Sequence, residues 1–232
     1  MERFVIAILF NTKWSSLNNN TDREWLEYRL ELFNNYTLRA LDAQTDSEFE
    51  IWLICCPESR DLLQGMDRGN IKFVFDLEHY MDTLYPMKTK VLKIDSDDMF
   101  REDAVEKTRA YLKNGNDVRM VMYTKGYVYD IKTEKLSKFD RRSITHYGTY
   151  FPKDKFTAEN FRKYCWCDQT KVRDRFNPIL LTERIVCMLD HDKNLSKDPR
   201  RNGMEQQHRT GQHGNIVKGE KHYILKQFGG VI

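Results

Sequence analysis

Little in this chain of 232 residues breaks or staples a backbone: it has 5 prolines, 11 glycines and 5 cysteines. So few prolines and glycines exclude collagen-like and linker-dominated chains. The cysteines, Cys55, Cys56, Cys165, Cys167 and Cys187, are odd in number and lack the paired spacing of a zinc site. They are read as five reduced thiols, which excludes a disulfide-stapled secreted scaffold and suits a cytoplasmic protein. No apolar run approaches the roughly 20 residues of a membrane helix. The stretch Phe4 to Phe10 is too short, and lacks the cleavage pattern, for a signal peptide. Charge of one sign is missing too, since 38 Lys and Arg face 35 Asp and Glu for a net +3. That balance argues against a dedicated nucleic-acid binder. What the chain does have is 40% hydrophobic and 12% aromatic residues, enough for a large buried core.

Continuous apolar runs alternate with amphipathic segments. Phe4 to Phe10, Phe49 to Ile54, Ile71 to Phe75 and Val91 to Ile94 are strands of the kind covered on both faces. Between the first two, Thr21-Asp22-Arg23-Glu24 has the capping-box pattern, and Leu26, Leu30 and Phe33 recur at helical spacing as far as about Ala43. A second helix is predicted from Glu102 to Lys113. This order gives an α/β fold with a mostly parallel sheet. Further on, Val118 to Tyr123 is a strand, Gly126 to Ile131 and Leu136 to Phe139 form a hairpin, and Thr157 to Tyr164 is a helix. Ile179 to Leu189 reads as one apolar strand-like stretch, and Lys221 to Phe228 as a last helix. Residues 196–219 hold almost nothing apolar and are expected to be a mobile basic segment. It carries Lys197, Arg200 and Arg201, and a lid closing over a diphosphate is expected there. The chain divides into one domain over 1–195, with a donor and metal half at 1–115 and an acceptor half at 116–195, followed by the segment and helix of 196–232.

The most informative feature is Asp95-Ser96-Asp97-Asp98, directly after an apolar strand. Three carboxylates within four residues repel one another, so a fold retains them only with positive charge between them. Their place at the carboxyl end of a strand is where α/β proteins bind ligands. Hard cations such as Mg2+ and Mn2+ take such oxygen ligands together with substrate phosphates. A solvated acidic turn capping the next helix is the plainer alternative.

Here the chain resembles family 2-like glycosyltransferases. Ala40 to Thr45 followed by Phe49 to Ile54 is similar to their "SLxxQTxxxFEWxI" region, and Val91 to Asp98 to their "xxLDSDD" acidic block. Arg3 to Asn11, Trp14 and the helix with Arg29-Leu30-Glu31-Leu32-Phe33 resemble the rhamnosyltransferase branch. His191 to Ser196 resembles an "HxxNxS" segment. The resemblance implies a GT-A-like fold, with a smaller acceptor-side hairpin and helix region. It implies metal-dependent, inverting transfer of a sugar from a nucleotide-diphospho-sugar donor to the hydroxyl of a glycan or other acceptor. It further implies Asp95, Asp97, Asp98 and His191 as ligands of Mn2+ or Mg2+. Asn11, Asp95, Lys197, Arg200 and Arg201 would contact the donor. Where many members carry an acidic residue after the second strand, this chain has Cys55-Cys56-Pro57-Glu58, and the usual "ED" pair has Cys167-Asp168 as its nearest equivalent.

A carboxylate base takes the acceptor's proton in such a displacement, with Asp168 first and Glu183 second. Tyr147 and Tyr150 could stack on an acceptor sugar, whereas Trp14 and Trp52 are read as packing residues. Two other readings stand beside the glycosyltransferase. A nucleotidyltransferase would also set acidic residues after a strand, but Asn11 to Asn20 lacks the glycines of a phosphate loop. A non-catalytic module binding a glycan or a partner protein is the other.

Overall fold

A computed structural model describes residues 2–12, 21–63, 69–141, 145–167, 169–191 and 216–230. The first strand, β1 (Glu2–Leu9), is an apolar run because both of its faces are covered. Phe4, Ile6 and Ile8 pack into one layer with Leu26, Phe33, Leu41, Ala104 and Val105. Val5 and Ala7 face the opposite layer, with Trp52, Met81 and Phe161. The period-two alternation of a strand therefore feeds two cores, giving helices on both sides of one sheet.

On the first side lies α1 (Arg23–Leu32), which runs through a π-helical stretch, Phe33–Leu38, into α2 (Arg39–Asp42). Its cap differs from the sequence expectation. Asp22, not Thr21, is the N-cap, and its Oδ1 accepts from the Trp25 N–H at 3.0 Å. The carboxylate wins because it adds charge at the positive helix end as well as a hydrogen bond. After β2 (Glu50–Ile54) come α3 (Arg60–Leu63), β3 (Ile71–Val74), α4 (Leu77–Asp82) and β4 (Lys88–Ile94). Next are β5 (Met99–Phe100), α5 (Ala104–Tyr111), β6 (Arg119–Tyr123), and the hairpin of β7 (Lys125–Asp130) and β8 (Lys135–Asp140). The chain continues with β9 (Tyr147–Phe151), α6 (Ala158–Cys165), α7 (Gln169–Phe176), β10 (Ile179–Leu181), β11 (Val186–Asp190) and α8 (Lys221–Lys226).

Seven strands form the main sheet in the order β10-β6-β9-β4-β1-β2-β3. Only β9 runs against its neighbours β4 and β6, so the sheet is mostly parallel, as the alternation of elements predicted. A smaller sheet, β5-β11-β7-β8, packs with α8 through Met99, Leu136, Leu189, Ile224 and Phe228. The single apolar stretch expected at Ile179 to Leu189 is two strands in two sheets. β10 pairs with β6, whereas β11 pairs with β7 and β5. Arg184 fixes the change of sheet: its guanidinium donates to the Gly126 carbonyl at 2.9 Å and the Phe139 carbonyl at 2.6 Å, both on the hairpin. Among the described residues no helix is long and apolar enough to cross a membrane, and all five cysteines are free thiols.

Candidate active site at the carboxyl end of β4

Three chain segments meet where β4 ends. β9 runs antiparallel to β4 with Tyr147 opposite Lys93, which brings Thr145 and His146 beside Asp95. β11 ends at Asp190, delivering His191 to the same place. On α1, Leu26, Arg29 and Leu32 form the buried face, so Arg29 points inward at the acidic block.

Protein cations already supply much of the positive charge that the repelling carboxylates require. Arg29 grips Asp97 with both ends of its fork, Nη1 to Oδ2 at 2.7 Å and Nη2 to Oδ1 at 3.1 Å, and Nη2 also donates to the Ser96 hydroxyl. His191 Nε2 lies 2.9 Å from the same Asp97 Oδ2. Burial would raise the Asp97 carboxyl, but Arg29 and His191 outweigh it and hold the group well below the ordinary carboxylate range. Asp95 has its side chain 37% exposed, and its Oδ1 accepts from Lys93 Nζ at 3.1 Å. There too desolvation is outweighed, by Lys93 and His146, and the carboxyl is lowered.

Asp98 behaves differently. Its Oδ1 accepts from the Leu189 N–H at 2.9 Å, and its Oδ2 lies 3.0 Å from His146 Nε2 in a fully buried pocket. Desolvation dominates, with Asp97 and Asp95 adding repulsion, and the carboxyl is pushed up to about 6 despite His146. Asp98 thus ties β11 to the end of β4, both of its oxygens turned to protein.

The donor set decides how a cation would fit. Two ligands at about 2.1 Å on adjacent corners of an octahedron stand about 3 Å apart, and Asp97 Oδ2 and His191 Nε2 have that spacing. Both are groups Mn2+ accepts, an oxygen and an imidazole nitrogen. Among the described residues no three His, Cys, Asp or Glu side chains converge as a cage. Burial pushes the Cys55, Cys165 and Cys187 thiols up, so they offer no thiolate. A cation placed here would therefore have two protein ligands and would need phosphate or water oxygens for its other positions.

Other expected residues have partners of their own. Asn11, at the carboxyl end of β1, is buried; its Nδ2 donates to the Ser59 hydroxyl at 3.0 Å and its Oδ1 accepts from the Cys56 N–H at 2.9 Å. It clamps β1 to the turn after β2. The Glu183 carboxylate is held on α5, by Lys107 at 2.7 Å and the Tyr111 hydroxyl at 3.3 Å. Tyr147 and Tyr150 offer no platform for a sugar, because both are buried. Tyr147 packs with Met120, Met122 and Val172, and Tyr150 donates to the Gly115 carbonyl at 3.0 Å. The apolar run into which they fall is a central strand, covered on both faces. Asp168, Lys197, Arg200, Arg201 and Trp14 lie outside the described residues, as does most of the expected lid.

Sequence reasoning missed Tyr28, Arg29, Lys93 and His146 as members of this site. Arg29 had a signal: a cation three residues after Leu26, on the face of the helix meant for the core. His146 had none.

No curated protein matches the chain. Among solved structures, S. aureus TarS is similar over 98% of this chain at 14% identity and a TM-score of 0.42; the chain spans 43% of TarS. A "putative nucleotide-diphospho-sugar transferase" from Desulfovibrio desulfuricans G20 is similar over 82% of both chains, at 12% identity and a TM-score of 0.35. The family described as "Putative rhamnosyl transferase" matches residues 18–150, a span that holds Arg29, the acidic block and His146. With more than half of its 232 residues matched, the chain belongs to that family of glycosyltransferases.

Proposed function

We propose that the protein transfers a sugar, with inversion, from a nucleotide-diphospho-sugar to an acceptor hydroxyl, using a divalent cation held by Asp97 and His191. The observation that carries this reading is their convergence. Residues 94 apart in sequence place an oxygen and a nitrogen 2.9 Å from each other at the carboxyl end of β4. Bound there with the donor, Mn2+ or Mg2+ would neutralise the charge that builds on the departing diphosphate.

The chain's own residues do the rest. Asp95, the most open carboxylate of the block, faces the donor, with Lys93 fixing its Oδ1. Asp98 positions the ends of β4 and β11 rather than binding a ligand. Lys197, Arg200 and Arg201 follow His191 in sequence and supply positive groups of the kind that stabilise a diphosphate. Asp168 takes the proton of the acceptor hydroxyl as its oxygen bonds to the anomeric carbon and the bond to the diphosphate breaks. Glu183, already committed to Lys107 and Tyr111, is the poorer base. The family's description puts rhamnosyl donors first in any donor screen, ahead of other UDP-, GDP- and dTDP-sugars.

Calorimetric titration of UDP and dTDP with and without Mn2+ tests the reading. Mn2+ should raise nucleotide affinity in the wild type and fail to do so in Asp97→Asn. Equal affinities in both proteins, with and without Mn2+, would sink the metal site.

A further inference from the structure

Two consecutive residues of α1 touch the two candidate ligands from behind. Arg29 holds both oxygens of Asp97. Tyr28 Oη lies 3.1 Å from His191 Nδ1, on the side of the ring away from Asp97, and the two rings meet edge to face with centroids 5.6 Å apart. We infer that Tyr28 and Arg29 are positioning residues that set the tautomer of His191 and the rotamer of Asp97 for cation binding.

This role for Tyr28 and Arg29 rests on the metal reading above and follows from hydrogen-bond direction. Asp97, held as an anion, can only accept. Without a cation the imidazole must therefore carry its proton on Nε2 and donate it to Asp97. In the neutral Nε2–H tautomer Nδ1 is a lone pair, to which the Tyr28 hydroxyl donates across 3.1 Å. A cation between Asp97 and His191 needs the Nε2 lone pair, so the single ring proton of the neutral imidazole has to sit on Nδ1. An N–H there requires an acceptor in a half-buried setting, and Tyr28 Oη supplies one by turning its own hydrogen away. A hydroxyl suits this place because it donates in one state and accepts in the other. Phenylalanine would keep the ring contact and lose both roles.

Arg29 acts on the other ligand. Its planar fork fixes the carboxylate plane, which a lysine's point charge would not. Trp25 lies beside the guanidinium, 5.6 Å from its centre, and Ser96 accepts a further bond from Nη2. Both positioning residues come from adjacent places on one helix, so the orientation of α1 is coupled to the geometry of the ligand pair.

The test measures Mn2+ binding by electron paramagnetic resonance in the presence of saturating UDP or dTDP, and nucleotide affinity without metal by calorimetry. Outer-sphere partners of ligating histidines typically contribute 10–100-fold to metal affinity. Tyr28→Phe should therefore weaken Mn2+ by about tenfold while its melting temperature and metal-free nucleotide affinity stay at wild-type values. Arg29→Lys should also weaken Mn2+, although it keeps the charge, because it loses the fork that fixes the Asp97 carboxylate plane. Wild-type Mn2+ affinity in Tyr28→Phe would overturn the inference while leaving the metal site standing. No Mn2+ binding in the wild type, with nucleotide present, would overturn the metal reading and this inference together.

Discussion

A buried carboxylate survives as an anion only where its surroundings outweigh the loss of water, and the neighbours Asp97 and Asp98 meet that condition differently. Arg29 cannot lose its proton in a protein, so Asp97 has a permanent counter-charge at 2.7 Å. Asp98 has a backbone N–H and a histidine, and burial wins, leaving it at about 6. The consequences for stability run in opposite directions. Asp97, lowered on folding, contributes stability above the ordinary aspartate range and loses it as pH falls through its folded value. Asp98, raised on folding, contributes stability that is fully present below about pH 4 and is lost as pH rises through about 6. Asp98→Asn keeps an oxygen to accept from Leu189 and carries no charge. It should flatten the decline between pH 4 and 7 relative to the wild type, measured by denaturant unfolding of the metal-free protein at several pH values. An unchanged slope would mean that Asp98 is not the group that titrates there.

At the scale of elements, the site depends on a second sheet that brings in β11. Gly126 allows that sheet to form. A Cβ at this position would lie 2.3 Å from the Val186 carbonyl oxygen and 2.6 Å from Phe139 Cζ, the first being backbone that cannot step aside. Gly126→Ala should therefore push β7 from β11, with the cost of about 1–3 kcal/mol typical of overpacking. Because β11 ends one residue before His191, the same change should also weaken Mn2+-dependent nucleotide binding. Chemical denaturation and calorimetry on the variant check the two effects; full stability with full binding would show that the two strands adjust freely. Gly148 has a similar role under α5, where Thr108 Cγ2 would meet a Cβ at 2.8 Å. α5 thus sits close to β9, the strand that brings His146 to Asp98.

Across the whole molecule, the proposed reading has the two sheets offer a cation a pair of ligands rather than a finished cage. A cation held by two protein groups binds weakly until a diphosphate supplies more oxygens. Mn2+ alone should then leave the melting temperature nearly unchanged, and UDP or dTDP with Mn2+ should raise it. Ligand at about 100 times its dissociation constant stabilises a fold by about 2.7 kcal/mol, which for a chain of this size is a shift of about 5–11 °C. An equal shift from Mn2+ alone would point to a preformed site with more protein ligands than Asp97 and His191.

The sequence alone determined the strands β1 to β4 and the layered α/β plan, because an apolar run buried on both faces is a local signal that needs no knowledge of neighbours. It also placed the acidic block at the carboxyl end of a strand, since the run and the block are continuous in the chain. Carboxylate repulsion told from sequence that positive charge must be present, but charge has no address in a linear pattern. Only the tertiary structure decided that much of it comes from Arg29, 68 residues from Asp97, and that His146 and His191 are the imidazoles brought against Asp98 and Asp97. The apolar stretch Ile179 to Leu189 shows the same limit. Hydrophobicity specifies burial, not which sheet does the burying, and the Arg184 bonds to the hairpin made that choice. Tyr147 and Tyr150 likewise looked free beside a glycine, and the antiparallel insertion of β9 between β4 and β6 enclosed them.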